Sequence, residues 1–185
     1  MMKYSITPRV ATILALIVCA TSSRFLDLPP NFTAVGAIAL FAGACFASTG
    51  IALLVVFATM LFSDAVIGFH STIPYVYACY ALTVLLGHNF LRQDTRPLRL
   101  VGGGAAHCAL FFIITNLGVW ASQALYPKTL AGLITCYVAG LPFLGNTIGS
   151  TALFMTLLFG SLALLEKGFP ALSRSGLYTR ATARG

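Results

Sequence analysis

The stretch 50–69, GIALLVVFATMLFSDAVIGF, carries a single charged residue, Asp64, and no proline. A helix needs about 20 predominantly apolar residues to cross the hydrocarbon of a bilayer, so this run reads as a membrane span. Working outward from it, further apolar runs lie at about 10–23, 32–48, 74–91, 100–122 and 146–165. The 185-residue chain has a mean hydropathy of +0.92 with only 8% charged residues, which fits no soluble globular class. The expected fold is an all-α integral membrane protein with about six transmembrane helices in one domain, 1–185.

The charges orient it. With a cytoplasmic N-terminus, the inner side collects Lys3, Arg9, Arg92, Arg96, Arg99, Lys167, Arg174, Arg180 and Arg184, and the outer side keeps Arg24 and Lys128. Positive residues concentrate in cytoplasmic loops, so both termini are expected inside, with a basic cytoplasmic tail over about 166–185. The net charge of +7 sits in membrane-flanking segments, where orientation and anionic lipid explain it without nucleic acid. Cys19, Cys45, Cys79, Cys108 and Cys136 lie singly in apolar stretches with no CxxC spacing and read as small packing residues. Lys3, Arg9 and the apolar Val10–Ala20 resemble a signal peptide, but no A-x-A site follows, and the segment is expected to stay as the first helix.

Pro29-Pro30-Asn31, Gly50, His70–Pro74, Arg92–Arg99 and Tyr126-Pro127-Lys128 punctuate the runs. The stretch Thr129–Leu144 is apolar but short and is interrupted by Gly140 and Pro142. As a full span it would give seven helices and turn the basic tail outward. It is therefore expected to be a short extra helix near the outer face, packed by protein where its backbone is irregular.

Asp64 is the one carboxylate inside an apolar run, and an intramembrane charge is costly enough to mark a functional candidate. In the expected topology Asp64, Asn116, Trp120, Gln123, Tyr75, Tyr77, Tyr80, Asn31, Thr33, Asn146 and Thr147 fall at one depth, in the outer leaflet. The inner halves carry chiefly His88 and His107. That asymmetry points to an apolar, aromatic pocket with a few placed polar groups, opening outward. The candidate substrate-binding residues are Asp64, Asn116, Trp120, Asn31, His70 and Tyr77: hydrogen bonds or charge from Asp64 and Asn116, stacking from Trp120 and Tyr77, closure by the loop around Asn31. The plainer alternative keeps the aromatics as interface anchors, the amides as helix glue, and Asp64 as a structural partner of Arg24 or His70.

On the first helix Ala11, Ala15 and Cys19 recur every fourth residue, a smooth face of the kind that lets a partner helix approach. No nucleophile–base pair, H-E-x-x-H motif, metal-ligand pair or phosphate loop occurs, so neither an enzyme nor a cofactor or metal is expected. Gly102-Gly103-Gly104 opens a membrane helix. The chain is too short for a nucleotide-binding domain, and any ATP-driven activity would need a partner. A proton-coupled carrier using Asp64 and a structural membrane protein without ligand stand as the rival classes.

Arg24-Phe25-Leu26, the run Pro30–Phe41, Ser63-Asp64, Gly68-Phe69-His70, Thr115–Trp120, Tyr126–Leu133 and Leu141-Pro142-Phe143 resemble a bacterial family of uncharacterised transport-type membrane proteins. The likeness covers roughly residues 24–160. That family in turn looks like the substrate-binding S components of energy-coupling factor transporters. In those, a six-helix protein binds a vitamin at its outer side, and an AxxxA face on helix one, matched by Ala11 and Ala15, meets a transmembrane coupling subunit served by ATPases. The resemblance implies an S-component-like bundle in the bacterial inner membrane that takes up a vitamin or related micronutrient. Some solitary S-component-like proteins handle cobalamin with a cysteine thiolate near the metal, which draws attention to Cys79. Packing is the commoner role for such a residue.

Overall fold

The computed structural model describes residues 7–173. Lys3 and the tail residues Arg174, Arg180 and Arg184 lie outside them. Helix α1 spans Pro8–Thr21 and tightens into a 3₁₀ turn, Ser22–Phe25. It is followed by α2 (Val35–Cys45), α3 (Thr49–Ile67), α4 (Ile73–Leu86), α5 (Pro97–Ser122) and α6 (Leu130–Gly168). The helix of α4 continues as a wider π-helical turn, Gly87–Leu91. The described residues contain no strand. Four helical stretches, Pro8–Phe25, Thr49–Ile67, Pro97–Ser122 and Leu130–Gly168, are long and apolar enough to cross a membrane, as a multi-pass membrane protein requires.

Local chemistry sets the helix starts. Thr7, Ser48 and Thr129 each accept a backbone N–H of the first turn, from Val10, Ile51 and Gly132 respectively, satisfying donors that a helix N-terminus leaves unpaired. Proline stands in the first turn of α1, α4 and α5, where its missing N–H costs nothing.

The run 32–48 does not yield a span of its own. Its helix, α2, has 11 residues, about 16 Å at the α-helical rise, and every residue from Val35 to Ala44 is buried. A helix apolar on all sides is one enclosed on all sides, and α2 is the axis around which the other five helices pack. Close approach makes this possible. A Cβ on Gly43 would lie 2.2 Å from the Val84 carbonyl oxygen, and one on Gly87 would lie 2.4 Å from that of Leu40. Small residues thus bring the α2 and α4 backbones together, the packing mode expected where lipid removes most of the hydrophobic drive between helices.

The expected short helix over Thr129–Leu144, with a break before a sixth span, is not what the chain forms. Leu130–Gly168 is one uninterrupted helix of 39 residues with Pro142 inside it, so the two segments run on as one helix. Proline deletes one N–H and crowds the carbonyl of Val138. In apolar surroundings the remaining helical bonds are the main way to satisfy the backbone. The segment is also held along α5: the Tyr137 hydroxyl donates to the Ile113 carbonyl at 2.8 Å, and the Cys136 thiol to that of Asn116 at 3.4 Å. At roughly 58 Å, α6 exceeds the hydrocarbon thickness.

At the end of the bundle that carries both termini, the buried Arg9 reaches the Glu166 carboxylate and the Leu172 carbonyl, tying the first helix to the last. In the 92–96 connection, hydrogen bonds from the Arg96 side chain and backbone hold the Asp94 carboxyl down at about 2, with Arg99 adding to the effect. Leu54, Phe62, Val66, Val101 and Leu164 are each more than three-fifths exposed, side chains that a soluble monomer would not leave in water together and that suit contact with lipid.

Candidate ligand-binding site

A cavity of about 540 Å³ opens at the end of the bundle opposite the termini. Its rim comes from the connections 26–34, 68–72 and 123–129, and its walls from α3, α4, α5 and the first half of α6. Its volume falls within the range of small-molecule sites, roughly 300–1,000 Å³. The lining mixes aromatic and aliphatic side chains (Phe32, Met60, Tyr80, Phe111, Phe112, Phe143) with Arg24, Asn31, Asp64, His70 and Asn116.

Asp64, in the last turns of α3, is 4% exposed. Arg24, in the 3₁₀ turn after α1, donates from Nη2 to Asp64 Oδ1 at 2.7 Å and from Nη1 to Ser63 Oγ at 2.7 Å. The Tyr77 hydroxyl of α4 donates to Asp64 Oδ2 at 2.9 Å. Ser63 spends its own hydrogen on the α3 backbone, at the carbonyls of Thr59 and Met60, which leaves its oxygen free to accept from Arg24. Both carboxylate oxygens are therefore held, and α1, α3 and α4 meet in one polar knot. The pairing of Asp64 with Arg24 is the one anticipated as its structural alternative.

Asn116 stands on α5 with its Nδ2 donating to the Phe112 carbonyl at 2.8 Å. Its amide oxygen faces Gly140 of α6 so closely that a Cβ there would lie 2.3 Å away. The glycine read in sequence as a helix interrupter is the gap into which the asparagine fits. Asn31 sits in the left-handed region at φ 64°, a conformation asparagine tolerates better than most residues. Its loop is fastened to α6: Asn146 Nδ2 donates to the Pro30 carbonyl at 3.0 Å and the Ser150 hydroxyl to that of Asn31 at 3.5 Å. At the rim His70 Nδ1 lies 2.7 Å from Thr72 Oγ1.

The structure thus brings Asp64, Asn116, Asn31 and His70 to one cavity and leaves Tyr77 and Trp120 out of its lining. Tyr77 stands behind Asp64, its ring 5.4 Å from that of Phe57. Trp120 fastens the 123–129 connection. Its Nε1 donates to the Pro127 carbonyl at 2.9 Å, and the Lys128 ammonium lies 5.4 Å from its ring centre while donating to the Trp120 and Gln123 carbonyls.

Sequence reasoning gave no site role to Arg24, Tyr80, Phe111 or Gly140. Tyr80 is 3% exposed, its ring packed on His107 and Phe111, and its hydroxyl has no hydrogen-bond partner among the described residues. Beneath it, Thr83 donates to the Cys79 carbonyl and leaves its oxygen to accept from His107 Nδ1 at 3.0 Å. Cys79 itself is fully buried and does not line the cavity. No three metal-ligating side chains cluster among the described residues.

Outside the cavity, α1 turns Arg9, Ile13, Ile17 and Thr21 inward and leaves Ala11, Ala15 and Cys19 exposed. A second, apolar cavity of about 890 Å³ follows the seam between α5 and α6, from Thr95 and Pro97 up to Phe112 and Leu144.

No curated protein and no solved structure matches the chain. One family of unknown function, DUF6580, matches residues 4–172. That span is nearly the whole sequence, and the chain belongs to the DUF6580 family.

Proposed function

We propose that this protein binds a small molecule, of the vitamin or micronutrient class, from the outer side of a bacterial inner membrane and serves its uptake. The observation that carries the reading is the cavity of about 540 Å³ into which four separate segments deliver Asn31, Asp64, His70 and Asn116. Polar groups are costly in the interior of a membrane bundle, and here they converge on one cavity. With nine of the eleven basic residues assigned to the other side, the charge rule turns the cavity mouth outward and both termini to the cytoplasm.

The uptake role rests on three supports: the resemblance to S components, the six-helix architecture, and the exposed Ala11–Ala15 face on α1. On this reading the chain binds and carries its ligand, performs no reaction on it, and draws energy from a coupling subunit with ATPases. A proton-coupled carrier centred on Asp64 is less well supported, because both oxygens of that carboxylate are already held by Arg24 and Tyr77.

The test is a panel of radiolabelled vitamins offered to the purified full chain, then to proteoliposomes. The reading expects saturable binding of one of them without accumulation driven by a pH gradient. Accumulation under a proton gradient alone would favour the carrier. Absence of binding across the panel would remove the vitamin class.

A further inference from the structure

The charges that line the cavity cancel within its wall. Of its lining residues, Arg24 and Asp64 carry formal charge, and they face each other at 2.7 Å. Asp64 and Ser63 each accept from one Nη of Arg24, and Arg24 and Tyr77 donate to the two carboxylate oxygens. An anion entering the site would have to share Arg24 with Asp64, and a cation would have to share Asp64 with Arg24. Either leaves one charge uncompensated beside the pair, a penalty that grows as the ligand displaces water from the cavity.

The other polar side chains of the lining carry no formal charge. Tyr80 lines the cavity, and its hydroxyl has no hydrogen-bond partner among the described residues. Asn116 also lines the cavity; its amide has spent one N–H on Phe112, and its oxygen, beside Gly140, accepts no hydrogen bond from the described residues. A hydroxyl in a cavity wall that no protein group accepts from has its hydrogen available to what enters, so it marks where a ligand acceptor belongs. Asn116 Oδ1 marks where a ligand donor belongs. Phe111 and Phe112 between them offer flat apolar walls.

We propose that the cavity selects a ligand of no net charge: a flat ring system bearing an amide-like edge, whose acceptor meets the Tyr80 hydroxyl and whose donor meets Asn116 Oδ1, while the Arg24–Asp64 pair excludes ions. The proposal rests on the binding role proposed above and adds the chemical class of the ligand.

The probes are indole-3-carboxamide, indole-3-carboxylate and indol-3-ylmethylammonium, one ring with three charges. Each is titrated against the full-length protein in lipid nanodiscs by saturation-transfer NMR, at about pH 8, where an ordinary imidazole is uncharged. The carboxamide is expected to bind about tenfold or more tightly than either ion, as an uncompensated charge at low dielectric requires. Asp64→Asn leaves the lining positive and shifts preference toward the carboxylate. Arg24→Gln leaves it negative and shifts preference toward the ammonium ion. The double variant restores preference for the carboxamide.

An ion that binds the wild type as tightly as the carboxamide overturns the proposal while leaving the binding role intact. The wild-type order alone decides this if the single variants do not fold. Absence of saturation transfer from all three probes counts against the binding role itself, and the proposal falls with it.

Discussion

Asn116 on α5 and Gly140 on α6 are complementary in the strict sense that a single methyl at position 140 would lie 2.3 Å from the asparagine oxygen. Gly140 lies within the continuous helix α6, two residues before Pro142, and lines the cavity. The contact couples the one long helix to a polar residue of the cavity lining.

Gly140→Ala tests that coupling. The added methyl forces the Asn116 side chain out of its place, and the cavity loses its best-defined acceptor. Ligand affinity is expected to fall about tenfold, the order of one lost hydrogen bond to a buried group, with the thermal midpoint little changed. Pairing Gly140→Ala with Asn116→Ala gives the check: the double variant binds no worse than Asn116→Ala alone.

The Arg24–Asp64 pair gives a different signature. Removing one member of a buried pair leaves an uncompensated charge, a change that costs about 3 kcal/mol or more, whereas removing both costs less. Arg24→Ala and Asp64→Ala should therefore each lower the unfolding midpoint in detergent more than the double variant Arg24→Ala/Asp64→Ala does. Additive losses, with the double variant falling by the sum of the two, would mean that the pair carries no coupling.

Much of this was readable in the sequence, for a physical reason. Asp64 and Asn116 stand out because a polar side chain inside a uniformly apolar run has few explanations, and their common depth followed from helix length and loop charge. Less was readable where every residue is apolar. The run 32–48 has no hydrophobic period to show that its helix would be only Val35–Cys45 and enclosed on all sides. Gly140 and Pro142 looked like a break because their effect was weighed by local propensity, while packing against Ile113 and Asn116 keeps the helix whole. Trp120 shared the depth of the site but not its space, since a helix at that level has several faces and sequence distance alone does not separate them. Tyr80 was hidden by its neighbours, one of three tyrosines in six residues, and only its unpartnered hydroxyl sets it apart.

The exposed face of α1 makes a prediction about transport and not about binding. Ala11→Leu/Ala15→Leu puts bulk where a partner helix would approach and leaves the inward stripe of Ile13 and Ile17 untouched. Cellular uptake of the ligand is expected to fall several-fold while the purified variant keeps its affinity. Equal loss of both would place the effect inside the bundle, and no loss of uptake would remove this face as the docking surface.

The central claim is that the cavity between α3, α4, α5 and α6 holds a small molecule. The most direct measurement is native mass spectrometry of the full chain, gently extracted from a host grown in rich medium, beside a variant carrying Gly140→Leu to fill the cavity. The account predicts a discrete small-molecule adduct on the wild type, present on extraction or after a vitamin panel is added, and its loss from the filled variant. An adduct that persists unchanged on the filled variant, or a wild type that stays bare after the whole panel, would contradict it.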